Sequence, residues 1–115
     1  MRRLRLVAVV GAAALGCVVQ GAVAADVPAG LVVARSNACL GCHTVDRKLV
    51  GPSFRQISEK YKGDPQAVAK LSKKVRDGGS GVWGVIPMPS HPRMKDEEIQ
   101  TVVKWVLAGA PEGAK

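Results

Sequence analysis

The sequence is poor in aromatic residues, with two tryptophans, one tyrosine and one phenylalanine among 115 residues. A chain this short buries a modest share of its surface, and many such chains need a disulfide, a metal or a cofactor to stabilise them. So few aromatic side chains are a weak basis for a self-sufficient hydrophobic core. The shortage therefore favours a large apolar cofactor inside the fold.

Cysteine and histidine are also scarce. Cys17 lies in an apolar N-terminal stretch, which leaves Cys39 and Cys42 as the one close cysteine pair. A zinc site built from this pair would have to use His43 and His91, and the adjacency of Cys42 and His43 makes a tetrahedral arrangement awkward. A thioredoxin-like pair would need a strand before it within a βαβ pattern, and none is visible. A disulfide across two residues is strained and is common only in redox enzymes. Zinc and redox chemistry remain alternatives for this pair.

The first 25 residues have the pattern of a secretory signal peptide. Three arginines precede an apolar stretch rich in alanine and glycine, which ends in the small residues AVAA. A retained membrane anchor and lipid attachment at Cys17 are the alternatives. No basic stop-transfer cluster follows the stretch, so cleavage after Ala24 or Ala25 is favoured, and we predict a periplasmic protein.

Cleavage after Ala25 would leave a single domain, residues 26–115, with 14 basic and nine acidic side chains and a net charge of +5. A basic surface can bind nucleic acid, an anionic membrane or an acidic protein. Export argues against nucleic acid, and the basic residues are spread along the chain rather than gathered in a tail. We predict a monomer with acidic protein partners and no stable membrane insertion.

Apolar residues at helical spacing predict an all-α fold with four helices and irregular segments between them. Ser53 and Asp64 are the predicted N-caps of the second and third helices, with Pro65 at the first position of the third. Three prolines and several glycines exclude a helix or a central strand at residues 78–94, which we predict to be an ordered functional loop. The predicted helical stretches are 27–38, 51–61, 63–79 and 95–110.

Residues 39–43 read CLGCH, the C-x-x-C-H spacing typical of covalent haem attachment. On a helical turn, residues i, i+3 and i+4 lie on one face. Cys39 and Cys42 can then add their thiols to the two vinyl groups on one edge of a haem, and the imidazole of His43 falls under the iron as its fifth ligand. Another residue at position 43 would leave the iron without that ligand. The motif therefore predicts one haem c.

A low-spin electron carrier needs a second axial ligand, and Met88, His91 and Met94 are the candidates. Met88 lies between Pro87 and Pro89, whose restricted backbone can hold a side chain at a set point. Met94 is better explained as an apolar residue that packs at the start of a helix. His91 would give a bis-histidine haem of lower potential. The residues alone favour Met88 and leave the other two open.

Four segments together resemble the short bacterial class I c-type cytochromes of the cytochrome c-551 kind. The resemblance covers nearly all of residues 26–115 and implies a haem wrapped by about four helices. It further implies that Cys39 and Cys42 are the thioether sites, that His43 is the proximal ligand and that Met88 is the distal ligand. The four segments are CLGCH, VGPSF, GSGVWGVIPMP and DEEIQTVVKWVL.

The resemblance also implies supporting roles around the haem. The carbonyl of Pro52 would accept the ring N–H of His43, and the indole N–H of Trp83 would meet a haem propionate. Lys74 stands where relatives often carry an arginine near a propionate, so a compact ammonium group replaces a planar guanidinium that can form two parallel hydrogen bonds. His91 stands where relatives often carry an asparagine, and we hypothesise that its titration makes the reduction potential pH-dependent.

The function that the resemblance implies is one-electron transfer between respiratory proteins, not catalysis. Its partners would be redox proteins with acidic docking patches, such as a nitrite reductase, a cytochrome c peroxidase, a terminal oxidase or a quinol-oxidising complex. A small haem peroxidase and a gas or redox sensor are the alternatives, and both need a displaceable sixth ligand. A peroxidase also needs a distal acid–base pair, for which His91 is the one histidine left and no acid lies near it in sequence.

Overall fold

The structure, a computed structural model, describes residues 26–113. These residues contain no strand beyond a single bridge between Gly79 and Met88, so the predicted all-α fold is confirmed. None of the described helices is long and apolar enough to cross a membrane. The predicted signal peptide and its cleavage site lie outside the described residues. The helices are α1 Ala29–Ser36, α2 Phe54–Lys60, α3 Ala67–Asp77 and α4 Asp96–Leu107, with a 3-10 turn at Cys39–Gly41.

Helix α4 is the element against which α1, α2 and α3 all pack. Its apolar side was predicted from spacing, but the burial of Trp105 was not. The Trp105 ring meets Phe54 edge-on at 5.1 Å, and its indole N–H donates to the carbonyl of Pro111 at 2.9 Å. The two rings therefore supply much of the aromatic part of a small core. The buried residues of α4 are Ile99, Val102, Val103, Trp105 and Val106.

Gly30 allows α1 to approach α4 closely. A Cβ atom at Gly30 would lie 2.0 Å from the Cβ of Trp105, so no larger residue fits at this crossing. The same glycine weakens the helical pattern of the sequence at this point. Helix α1 nevertheless forms, beginning directly after Pro28, and it is shorter than the predicted stretch.

The start of α2 was predicted correctly, whereas both predictions for the start of α3 are wrong. Ser53 caps α2, where its hydroxyl accepts the N–H of Gln56 at 3.1 Å and the Gln56 side chain accepts the N–H of Ser53 at 2.9 Å. Asp64 was predicted to cap α3 with Pro65 as its first residue, but the helix begins at Ala67, so Pro65 lies in the turn before it. The Asp64 carboxylate instead accepts the N–H of Gln66 at 2.8 Å, which closes a turn before the helix.

The segment between α3 and α4 is the loop predicted from its prolines and glycines, and it contains neither helix nor strand. Met94, near its end, is buried in the core together with Ile99, as expected of a residue at the start of a helix. The Glu98 carboxylate accepts the N–H of Lys95 at 2.9 Å and so stabilises the first turn of α4. The loop thus connects two well-anchored helix ends.

Candidate haem site

A cavity of about 450 Å³ lies between the CLGCH segment, the loop after α3 and the inner faces of α2, α3 and α4. Its volume falls within the range of about 300–1,000 Å³ typical of cofactor sites. Cys39, Cys42, His43 and Met88 all line it. Most of its other walls are apolar, including Val50, Ile57, Leu71, Val75, Val102 and Val106.

The CLGCH segment forms a tight turn that gathers its three reactive side chains. Ala38 adopts the left-handed conformation, with φ of 57°, and ends the path of α1. The carbonyl of Cys39 then accepts both the N–H of Cys42 at 3.2 Å and the N–H of His43 at 2.9 Å. These i+3 and i+4 bonds are those of a helical turn, as the spacing predicted, although the turn is 3-10 rather than α.

His43 is fixed by residues on the following segment. Its Nδ1 lies 2.6 Å from the carbonyl oxygen of Pro52. Since a carbonyl only accepts, Nδ1 carries the proton and Nε2 keeps the lone pair that a metal can bind. The ring is buried and stacks on Phe54 with centroids 5.4 Å apart. A Cβ at Gly51 would lie 2.7 Å from the His43 Cε1, so the close approach of this backbone requires glycine.

The cysteine pair does not resemble a zinc or disulfide site. Neither Cys39 nor Cys42 is in a disulfide. Burial raises the pKa of the Cys39 thiol, and the nearby Cys42 adds to the increase. Across residues 26–113, no three side chains of His, Cys, Asp or Glu form a group able to hold a metal ion. The pair therefore fits attachment to an organic group better than metal binding.

Of the three candidate sixth ligands, Met88 alone lines the cavity. Met94 is buried in the core, and His91 is absent from the cavity wall. The backbone of Met88 exchanges two hydrogen bonds with Gly79, at 2.9 and 3.0 Å. A Cβ at Gly78 would lie 2.4 Å from the Met88 carbonyl oxygen, and Gly78 has φ of 69°. Two glycines at the end of α3 thus bring the methionine backbone against the helix.

Trp83 and Lys74, the residues predicted to meet the haem propionates, both line the cavity. Trp83 is 42% exposed, and the ammonium of Lys60 lies 5.5 Å from the centroid of its ring. The ammonium of Lys74 donates to the carbonyl of Gly78 at 3.4 Å. Their contacts with propionates stay predictions.

The residues of the cavity fit a covalently bound haem. Apolar walls suit the porphyrin face, two thiols lie on one turn, and an imidazole with its lone pair on Nε2 and a thioether sulfur are both ligands that haem iron takes. Residues 28–110 match the sequence model of the family described as Cytochrome c. The chain belongs to the cytochrome c family. It is a monohaem c-type cytochrome that carries electrons, and its haem c is bound covalently.

Relatives of this cytochrome support the assignment over most of its length. Cytochrome c-551 of Pseudomonas aeruginosa is 40% identical over 89 residues, which cover 77% of this chain and 82% of the relative. Cytochrome c-552 of Hydrogenobacter thermophilus is 35% identical over 108 residues, 94% of this chain and 98% of the relative. The crystal structure of wild-type cytochrome c552 from Nitrosomonas europaea superposes with a TM-score of 0.66 at 37% identity, covering 69% of this chain and 98% of that one. The predicted fold of a cytochrome c is therefore confirmed.

Several residues that build the site of this cytochrome were not singled out from the sequence. Phe54 was predicted only as part of an apolar helix face, and Gly78 only as the end of α3. Gly51 was noted only as part of the VGPSF motif. Each acts through a contact with His43 or Met88 that depends on the folded backbone. The doubled glycine after α3 was the one signal that an unusual backbone follows the helix.

Proposed function

We propose that this cytochrome carries single electrons in the periplasm, with His43 and Met88 as the two axial ligands of its haem iron. The observation that carries this proposal is that His43 and Met88 line one cavity, whereas the alternative ligands His91 and Met94 do not. Haem c, when bound, supplies an iron that changes by one electron between its ferrous and ferric states. Two protein ligands would leave no axial position for a substrate.

The chain's own residues have distinct tasks in this proposal. Cys39 and Cys42 would each add their S–H across a vinyl group, with sulfur on one carbon and hydrogen on the other, and so fix the haem edge at the 3-10 turn. The hydrogen bond from His43 to Pro52 orients the imidazole and makes its Nε2 a better electron-pair donor to the iron. Trp83 and Lys74 are the proposed partners of the propionates, and both lie on the cavity wall.

Charge and apolar exposure favour brief encounters with acidic redox proteins. The predicted mature chain, residues 26–115, has a net charge of +5. Val85 and Ile86, on the loop that carries Met88, are largely exposed and line the cavity. A small apolar contact steered by opposite charge suits transient electron-transfer complexes. The signal peptide pattern supports a periplasmic location.

The cavity wall favours a carrier over a peroxidase. Among the described residues, its lining includes no carboxylate, and His43 is its one histidine. A peroxidase would need an acid–base pair on the side of the haem away from His43. The residues on that side, including Trp83, Ile86 and Met88, offer no such pair.

The test is the absorption spectrum of the periplasmic protein with and without Met88. We expect haem that stays with the polypeptide in denaturant, and a weak far-red ferric band from sulfur on iron. Met88→Ala should keep the haem but lose the band, whereas the control His91→Ala should keep both. High-spin haem in the wild type, rapid CO binding by its ferrous form, or a band that survives in Met88→Ala would overturn the proposal.

A further inference from the structure

Arg76, in the last turn of α3, reaches across to the end of the loop that carries Met88. Its Nη1, which has two N–H groups, lies 3.3 Å from the carbonyl oxygen of His91, 3.1 Å from that of Pro92 and 2.5 Å from that of Met94, so at least one N–H is shared between two carbonyls. Its Nη2 pairs with the carboxylate of Asp96 at the start of α4. One guanidinium therefore binds four acceptors along a single segment of chain, residues 91–96.

The backbone of the same segment also donates a hydrogen bond to the end of α3. The N–H of His91 lies 3.1 Å from the carbonyl of Val75 and 3.2 Å from that of Arg76. The Arg76 side chain is 30% exposed, and its bonds to His91 and Met94 are partly buried, whereas Pro92 and Asp96 lie at the surface. The segment after Met88 is thus attached to the end of α3 by both side chain and main chain.

Residues 81–87, before Met88, make no hydrogen bond to a helix, and Trp83 has the ammonium of Lys60, on α2, 5.5 Å from its ring centroid. The loop is fixed at Met88 by two backbone bonds to Gly79, and residues 82–87 before it line the cavity. Without the bonds of Arg76, the segment from residue 91 to 96 would keep the single backbone contact of His91 with the end of α3. Beyond that contact, the next anchor after Met88 would be Met94, which is buried in the core.

We propose that Arg76 is a positioning residue that keeps the Met88 sulfur on the haem iron by clamping residues 91–96 to the end of α3. The inference rests on the proposed ligation by Met88. A lysine cannot replace this function fully, because its single ammonium nitrogen cannot contact the three carbonyls and the Asp96 carboxylate from two separate positions, as Nη1 and Nη2 of Arg76 do.

The experiment measures how easily an outside ligand displaces Met88. Imidazole is titrated into the ferric holoprotein, and its binding is followed by the loss of the far-red band. Arg76→Gln should bind imidazole about tenfold more tightly than the wild type, the factor expected when one charge-assisted hydrogen bond no longer opposes opening of the loop. Arg76→Lys and Asp96→Asn should show smaller increases in the same direction.

A matched control lies on the same helix. Lys73 pairs with Asp77 on the solvent side of α3, and its side chain is 80% exposed. Lys73→Gln removes a cation and an ion pair close to Arg76 without touching the loop, so its imidazole affinity should equal that of the wild type. An equal increase in this variant would show that general charge, not the clamp, governs displacement.

The outcomes separate the clamp from a merely structural role and from the ligation itself. A structural role would lower the urea midpoint of Arg76→Gln and leave its imidazole affinity unchanged, which would overturn the proposal. If Arg76→Gln does not fold, unchanged affinities in Arg76→Lys and Asp96→Asn would overturn it equally. A wild type without the far-red band would instead disprove ligation by Met88, and the clamp with it.

Discussion

His43 and Met88 line one cavity, but the two segments that carry them are built differently. His43 is 9% exposed, bonded to Pro52 and stacked on Phe54, which itself belongs to the core. Met88 is half-buried on the segment between α3 and α4, which contains neither helix nor strand. Its position depends on bonds to Gly79 and on the clamp by Arg76. The histidine side is part of the hydrophobic core, whereas the methionine side is fastened to the end of one helix.

This difference assigns the two proposed ligands to regions of different local stability. Local unfolding of a loop with few buried contacts costs less free energy than unfolding of the core. Opening of residues 80–90 would release Met88 while α4 and Phe54 still hold His43 in place. We therefore expect the methionine to leave the iron before the protein unfolds, and the histidine only as it unfolds.

The largest expected effect comes from removing each ligand in turn. His43→Ala removes a buried ring that packs on Phe54, at a cost of about 3 kcal/mol or more out of a typical 5–15 kcal/mol. Little folded holoprotein should accumulate. Met88→Ala should fold with its haem, and its reduction potential should fall by on the order of 0.1 V, because methionine ligation raises the potential of cytochromes c.

Haem content per polypeptide, the urea midpoint and the reduction potential measure this contrast. The conservative variant Met94→Leu, in the core but away from the cavity, serves as a control for changes in packing alone. Equal losses of folded holoprotein in His43→Ala and Met88→Ala would contradict the assignment of the two ligands to regions of different stability.

A smaller effect is expected from adding one methyl group behind each ligand. Gly51→Ala places a Cβ 2.7 Å from the His43 ring, and Gly78→Ala places one 2.4 Å from the Met88 carbonyl at φ of 69°. Each should cost about 1–3 kcal/mol in overpacking or backbone strain. Gly51→Ala should lower the urea midpoint, whereas Gly78→Ala should chiefly weaken the far-red band.

Gly41 provides the matched control, because a Cβ there would meet nothing within 4 Å. Gly41→Ala should leave the far-red band unchanged and the unfolding free energy within about 1 kcal/mol of the wild type. If Gly78→Ala lowers the urea midpoint as much as Gly51→Ala and keeps its band, the methionine loop is not a separately opening region.

The sequence predicts those features that are carried by neighbouring residues. The turn at residues 39–43, the cap at Ser53 and the irregular loop with Met88 all depend on local spacing or local backbone chemistry, and the structure shows each of these elements. Asp64 shows the limit of local rules, since its carboxylate had two competing local uses and closes a turn instead of capping the helix.

Contacts between distant residues could not be predicted from the pattern. Gly30 is a poor helix former, and the need for glycine at this position comes from the close approach of Trp105 on another helix. Arg76 is one of many basic residues in the sequence, and nothing distinguishes it until the chain folds and places three carbonyls within its reach. The supports of the two ligands belong to this class, which is why the ligands themselves were easier to nominate than the residues that hold them.

The smallest expected effect concerns His91, which follows Met88 by three residues and whose N–H is fastened to the end of α3. Protonation of its imidazole would add a positive charge on the methionine side, and a positive charge disfavours the ferric iron. The reduction potential should therefore fall as the pH rises from about 5 to 8, by on the order of tens of millivolts. Redox titrations of the wild type and His91→Asn measure the difference.

The comparison between those two titrations is what decides the hypothesis. Haem propionates and other groups can also titrate, so the reduction potential of His91→Asn is expected to keep some dependence on pH. Only the part of the pH dependence that this variant loses is due to His91. Asparagine keeps a polar side chain of similar shape and leaves the backbone contact with Val75 available. Identical slopes in the two proteins would show that the methionine side does not respond to protonation at position 91. A shallower slope in His91→Asn would mean that the loosely built side of the haem is also the side through which pH tunes the potential.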